Sequence, residues 1–468
     1  MERIPMSKKE KDEYSITKFT TIAYGFANFA DNSATQLFNF LLFTFYYAVV
    51  GLNVNLITIG FIIWSVWNAI NDPLMGSWSD KSKSRLGRRK PYIIAGIIPT
   101  CVILVLLWTP PIQTQSLTFY YFIIIVLFYD TFYTMFYVNQ MALFPEMYED
   151  LDQRAKANII LQVFTILALF IAFISPSFFI PQYEDPRYFT NYRYAGLFIA
   201  IIFAISSIIF VRFGLKERKE YSKDPYEAPN FLRSLSYSLN NKAFITYIIA
   251  NFSTYYILGM FTTLTPLYGS FVLGVKDSFL LSLLLGSSFM SAAFFMIFWQ
   301  KCSLKLGVRK GLMIALLSGI ITAAPFMFIN GFIPGAIVYF ISGFSLSGML
   351  FFRRITLAAV IDEDELKTGI RREGAFYGVD ALIVKLSSIF IFLTINLVFN
   401  SVGWTVFDPK GTQQQTILGL RLLMWLFPSI GLFIGIISMF FFPITKQRYD
   451  QLSIDSKKLH KLKKKKAE

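Results

Sequence analysis

The chain has 468 residues, 55% of them apolar and 18% aromatic, with 16% charged, where an ordinary soluble domain carries about 25% charged residues. Fifty-one Phe and 25 Tyr exceed what one water-soluble core of this length could bury, and disordered chains are apolar-poor, so the composition points to an integral membrane protein. The formal net charge of +15, from 44 Lys and Arg against 29 Asp and Glu, takes its meaning from where those residues fall.

A bilayer core about 30 Å thick takes roughly 20 apolar residues per helix, and twelve stretches of that kind follow one another. The polar head 1–19, with Lys8, Lys9 and Lys11, has no short apolar core, so no cleaved signal peptide is expected. Six spans are predicted at 20–48, 54–77, 91–109, 117–141, 157–180 and 194–213. A hydrophilic linker, 214–243, separates them from six more at 244–272, 278–299, 311–329, 333–352, 374–400 and 416–442, and a basic tail closes the chain at 443–468. Runs such as FYYFIIIVLFYD (119–130) are apolar all round, which excludes the alternation of a β-barrel strand. The expected class is an all-α membrane protein of two six-helix bundles, 20–213 and 244–442.

Basic residues set the orientation. The outer loops hold only Arg187, Arg193, Lys276 and Lys410, with Arg421 near the mouth of the last span. Apart from Lys385, every other Lys and Arg falls in the inner segments. The positive-inside rule then places both termini in the cytoplasm. The basicity is a topology signal, with an added attraction of KLHKLKKKK (458–466) to anionic headgroups. Charge spread over loops makes no groove for nucleic acid, and no obligate protein partner is evident.

The two halves repeat in outline. SRLGRRKP (84–91) follows span two and SLKLGVRKG (303–311) follows span eight, while EDLDQRAKAN (149–158) precedes span five and DELKTGIRREG (364–374) precedes span eleven. Parallel six-helix repeats around a midplane site are a transporter plan.

Polar residues within the spans mark where a solute and an ion would bind. Span one places Asp31 and Thr35 on one face, beside a stripe of Asn32, Gln36 and Asn39. Span two carries Trp64, Asn68, Asn71, Asp72 and Met75, span four Asp130, Tyr133 and Tyr137, span five Asn158 and Gln162, and span eleven Tyr377, Asp380 and Lys385. A carboxylate at the bilayer centre costs about 2.5–3.5 kcal/mol even on the gentler scales, so each acid needs a cation, a proton or a wet cavity. Lys385, read as the one basic residue deep in a span, is assigned to Asp72. Asp380, five residues from Lys385 on the same helix, points about 140° away from it. Pro73 frees the carbonyl of Ala69 beside Asp72, a plausible small-cation ligand. Asp80, Arg88 and Arg89, between spans two and three, suit a cytoplasmic gate. Cys101 and Cys302 make no disulfide framework, and the sole histidine, His460, lies in the tail. Imidazole chemistry and an enzyme of that kind are therefore not expected, nor is any cofactor beyond a coupling sodium or proton, with sodium held at Asp72.

NDPLMGSWSDKSKSRLGRRKPY (71–92), YGFANFADN (24–32) and KTGIRREGAFYGVDALIVK (367–385) resemble the glycoside-pentoside-hexuronide:cation symporter family, the melibiose-permease-like branch of the major facilitator superfamily. The resemblance covers nearly the whole chain and implies alternating-access symport of a sugar or glycoside at the cell membrane. In that family two carboxylates one turn apart on helix two hold the coupling cation; here Asn68 stands at the first position and Asp72 at the second. The loss of one anionic ligand shifts the expectation toward a proton or toward uncoupled transport. The positions of the family's sugar-binding carboxylates hold Asn32, with Asp31 one residue earlier, and Tyr137, with Asp130 two turns before it. Lys385 and Asp380 match the helix-eleven lysine and a sugar-contacting position. The resulting assignment is Asp72, Asn68 and Lys385 for the cation, and Asp31, Asn32, Asp130, Tyr137 and Asp380 for the solute. An amphipathic cargo such as a lysolipid is the alternative, favoured by the aromatic excess and opposed by the polar stripe of span one. A receptor would need a soluble output domain, which neither the head nor the tail is long enough to form.

Overall fold

The computed structural model describes residues 16–467 apart from 83, 85, 149–150, 218–235, 370–371 and 412, with the backbone alone at 151, 152, 155, 453, 457 and 460–467. Most of the polar head, most of the linker and the side chain of His460 lie outside the described residues. Every regular element among them is helical: α1 (Lys18–Thr44), α2 (Val54–Asp80), α3 (Lys90–Leu106), α4 (Gln115–Met147), α5 (Leu151–Ile174), α6 (Phe189–Ile209), α7 (Lys242–Phe271), α8 (Ser278–Ala323), α9 (Phe332–Thr368), α10 (Glu373–Ser401), α11 (Gln414–Met424), α12 (Leu426–Phe440) and α13 (Lys446–Ala467).

Short polar side chains start several of these helices by accepting first-turn amides. Thr17 caps α1 from Thr20 at 3.1 Å, Thr114 caps α4 from Leu117 at 3.2 Å, Asn241 caps α7 from Ala243 at 3.0 Å and Asp277 caps α8 from Leu280 at 2.9 Å. At the other end of α9, Gly369 takes the left-handed conformation (φ 74°), returning its amide to Glu365 at 2.8 Å.

Among the described residues nine helices are long and apolar enough to cross a membrane, where the sequence reading has twelve spans. The difference has three sources. The polar stripe of α1 lowers its hydropathy, α3 is 17 residues long, and α8 joins the expected spans 278–299 and 311–329 into one element. That junction, where the basic SLKLGVRKG (303–311) follows span eight, is helical up to a break at Gly307 (φ 68°, ψ 177°). The last span is interrupted at Trp425, between α11 and α12.

Two compact units emerge. The described residues of the first fall within 1–45, 66–181 and 185–228, and those of the second within 46–65, 182–184 and 229–468. In the first unit α1 packs on α5 and α6, and α3 on α4 and α6; in the second α7 packs on α10 and α12, and α8 on α9 and α12. The same pairing scheme in both is what an internal repeat requires. The N-terminal part of α2, 54–65, joins the second unit because Phe61 lies flat on Phe392 (centroids 3.6 Å apart, planes 2°) and the Asn55 amide oxygen accepts from Asn396 and Asn400 at 2.7 and 2.9 Å.

Candidate functional site

Lipid offers a polar side chain no partner, so each must find one in the protein. In the first unit this happens across α1, α2 and α4. Asp31 is buried on α1 and accepts the hydroxyl of Tyr133 from α4. Thr35, one turn further, donates to that same tyrosine oxygen at 2.8 Å. Among the described residues no cationic side chain lies within ion-pair distance of Asp31. Asn32 folds back onto its own helix, donating to the Asn28 carbonyl at 2.8 Å. Asp130 is buried and takes the Asn71 amide on its carboxylate at 3.0 Å and on its carbonyl at 3.2 Å. Asp72 is half-buried and accepts from Thr134 at 3.1 Å, with half-buried Asn68 one turn before it. Tyr129, Tyr133 and Tyr137 recur every four residues of α4, and their rings stack in a ladder (5.5 and 5.6 Å, 13° and 9°). Phe38 extends it at 4.9 Å. The structure thus gathers Asp31, Thr35, Tyr133 and Tyr137 into one cluster and Asn71 with Asp130 into a neighbouring one.

The second unit contains Asp380 and Lys385, both on α10. Asp380 accepts from Tyr247 at 3.0 Å and Asn251 at 2.6 Å, and its other oxygen faces the Arg353 guanidinium at 3.6 Å. Arg353 also lies over the Tyr255 ring at 5.1 Å. Sequence reading did not foresee Arg353 as the partner of Asp380. Arg353 had been counted as loop charge because the apolar run ends at 352, yet α9 continues for four more turns to Thr368. Asp72 belongs to the first unit and Lys385 to the second; Lys385 is half-buried.

A signal that could have found this cluster sits in the sequence. YGFANF (24–29) and YIIANF (247–252) share Tyr-x-x-Ala-Asn-Phe at equivalent places in α1 and α7. In the first unit Tyr24 donates to the Gln140 carbonyl and Asn28 accepts from the Gln140 amide at 2.9 Å. In the second the equivalent Tyr247 and Asn251 hold a carboxylate instead.

At the loop between α2 and α3, Asp80, Arg88 and Arg89 do meet. The Arg89 guanidinium lies 3.1 Å from Asp80, and that of Arg88 3.8 Å. Both arginines are nearly buried, and both also grip Glu146 at the end of α4, at 2.6 Å from Arg88 and 2.7 Å from Arg89. Glu217, beyond α6, accepts the backbone amides of Arg88, Arg89 and Lys90. Sequence reading missed both glutamates, which lie 57 and 128 residues from Arg89. Among the described residues no group of three or more His, Cys, Asp or Glu side chains could hold a metal ion.

Many apolar helices, with carboxylates and amides buried inside them and a charge cluster at a loop, define a multi-pass membrane transporter. The profile of the family described as MFS/sugar transport protein matches residues 23–446, and the chain belongs to that family. An uncharacterized symporter of Synechocystis is 26% identical over 248 residues, a match covering 52% of this chain and 45% of that relative. An isoprimeverose transporter of Lactiplantibacillus pentosus is 22% identical, with 91% of this chain and 88% of the relative covered. The crystal structure of the nucleoside transporter NupG is similar with a TM-score of 0.67 at 14% identity, over 91% of this chain and 99% of that one. The fold is that of the major facilitator type.

Proposed function

We propose that this chain is a symporter that carries a sugar or glycoside across the cell membrane with a coupling cation, both termini facing the cytoplasm. Family membership and relatives named as a symporter and as an isoprimeverose transporter support the solute class. The observation that carries the reading is the Asp31 cluster: a buried membrane carboxylate that accepts the Tyr133 hydroxyl, itself bonded by Thr35, beside a stack of tyrosine rings. Hydroxyl-rich solutes can exchange with such hydroxyl partners, and the flat tyrosine faces suit the C–H face of a sugar ring. In this reading Asp31, Asn32, Asp130 and Tyr137 are the solute ligands of the first unit, and Asp380, held by Arg353, is the candidate solute ligand of the second. Asp72, with Asn68, takes the coupling cation in the first unit, and Lys385 is the cation-linked residue assigned in the second. Asp80, Arg88 and Arg89 form the cytoplasmic gate.

The test is uptake into proteoliposomes of a labelled pentose, hexose and disaccharide, with pH and sodium gradients imposed separately. One gradient should drive accumulation by the wild type. Asp72→Asn should equilibrate solute without concentrating it, and accumulation by that variant would refute the coupling assignment.

A further inference from the structure

The N-terminus of α3 has no cap of its own. Its N-cap residue is Arg89, which makes no side-chain capping bond, although the first amides of a helix need acceptors. Glu217 supplies them from 128 positions away. One carboxylate oxygen accepts the amides of Arg88 at 2.5 Å and Arg89 at 2.9 Å, and the other accepts that of Lys90 at 3.1 Å. A carboxylate at a helix N-terminus is favoured by the partial positive charge there, and bonds to an ionised acceptor are about twice as strong as neutral ones. Gly87 makes room for it. Its φ of 109° suits glycine, and a Cβ there would stand 2.3 Å from the Glu217 Oε2.

We infer that Glu217 is the positioning residue of the gate: it fixes the backbone of Arg88 and Arg89 so that their guanidinium groups are presented to Asp80 and Glu146. The inference rests on the gate reading above. The repeat supplies the comparison that separates this from a general folding role. In the second unit the equivalent glycine, Gly307, also has a positive φ (68°), and it too abuts the residue that follows the last span of its unit, there Lys446. Arg309, equivalent to Arg89, donates to the Phe440 carbonyl and lies over the Phe440 ring at 5.5 Å. What meets Gly307 is the aliphatic stem of Lys446, whose ammonium pairs with Asp450 at 2.5 Å, so the chain turns at this glycine against a hydrocarbon stem rather than a carboxylate. The carboxylate stands in the unit where the arginine two positions after the glycine pairs with Asp80 and Glu146.

The experiment compares wild type with Glu217→Ala, Glu217→Asp, Gly87→Ala and the Gly87→Ala/Glu217→Ala double variant in proteoliposomes. Amide hydrogen exchange is followed by mass spectrometry. Initial uptake is measured with whichever labelled pentose, hexose or disaccharide the wild type takes up fastest. Glu217→Ala should speed exchange across 88–90 by about tenfold or more, the loss expected when a charge-assisted bond goes, and leave the peptides of α7 to α12 unchanged. Maximal uptake should fall several-fold with KM within about twofold, as for a group that acts on the gate rather than on solute binding. Glu217→Asp should restore part of the rate, and the double variant should be no worse than Gly87→Ala. Unchanged exchange at 88–90, a raised KM at unchanged maximal rate, or additive losses in the double variant would each overturn the proposal. If the wild type takes up none of the sugars, the sugar reading fails, and exchange at 88–90 with the double variant decides the role of Glu217 alone.

Discussion

Removing both members of the Arg353–Asp380 pair should harm the protein far less than the sum of removing each alone. The two groups stand 3.6 Å apart with side chains 18% and 7% exposed. At an effective dielectric constant of about 20 their attraction is on the order of 4–5 kcal/mol, much of it offset by the cost of taking both from water. Arg353→Leu leaves the carboxylate with Tyr247 and Asn251 alone and should cost about 3–5 kcal/mol. Asp380→Leu should cost at least as much, because it also strands the buried Tyr247 hydroxyl and Asn251 amide. In Arg353→Leu/Asp380→Leu no charge is left unpaired, so the share of the loss due to a lone charge should return, while the stranded Tyr247 hydroxyl and Asn251 amide keep the double variant below wild type. At about 2–4 °C per kcal/mol for a unit of roughly 200 residues, each single variant should melt near 10 °C below wild type. The double variant should melt no lower than Asp380→Leu alone, well short of the sum of the two losses. The assay is thermal unfolding of detergent-solubilised protein followed by intrinsic fluorescence, with each variant bound to one detergent throughout. If the double variant loses the sum of the two singles, the pair does not act as a pair and the reasoning fails.

Close helix contacts give a second prediction. A Cβ at Gly343 would meet the Ser288 carbonyl at 2.2 Å and the Ser291 hydroxyl at 1.8 Å, whereas one at Gly286 would meet nothing within 4 Å. Gly343→Ala should therefore lower stability by about 1–3 kcal/mol while Gly286→Ala leaves the melting temperature unchanged; equal effects would contradict the α8–α9 packing. Tyr133→Phe keeps the ring stack but takes the hydroxyl from Asp31, a loss of about 1–3 kcal/mol for a buried acceptor. It should raise KM for the sugar more than Tyr137→Phe does, and a KM unmoved in Tyr133→Phe would remove Asp31 from the solute site. Asn55→Ala removes the acceptor shared by Asn396 and Asn400, and exchange of the amides at the start of α2 should quicken while those of α4 stay as they are.

The spans, their order and the polar residues inside them were legible in the sequence, because a long apolar run is a local property. So was the pairing of Asp80 with Arg88 and Arg89, which lie within one loop. What escaped was every partner supplied from far along the chain. Glu146 and Glu217 looked like ordinary loop acids, and Arg353 looked like the first charge after a span that in fact runs on to Thr368. Arg353 became visible only through its neighbour Asp380, whose burial demanded a counter-charge. The Tyr-x-x-Ala-Asn-Phe repeat was readable in principle, but its two copies hold different chemistry, an amide in one unit and an ion pair in the other. Local pattern gives the scaffold; what occupies it depends on a third helix.

The ion pair of the second unit also constrains how the chain enters the membrane during synthesis. A lone guanidinium or carboxylate leaving the insertion machinery for lipid would cost several kcal/mol. Arg353 and Asp380 are carried by the consecutive helices α9 and α10, with α7 and its Tyr247 and Asn251 already made. Neither of the two helices can partition cheaply on its own, so they should leave the translocon as a hairpin, with neutralisation complete within some thirty residues of nascent chain.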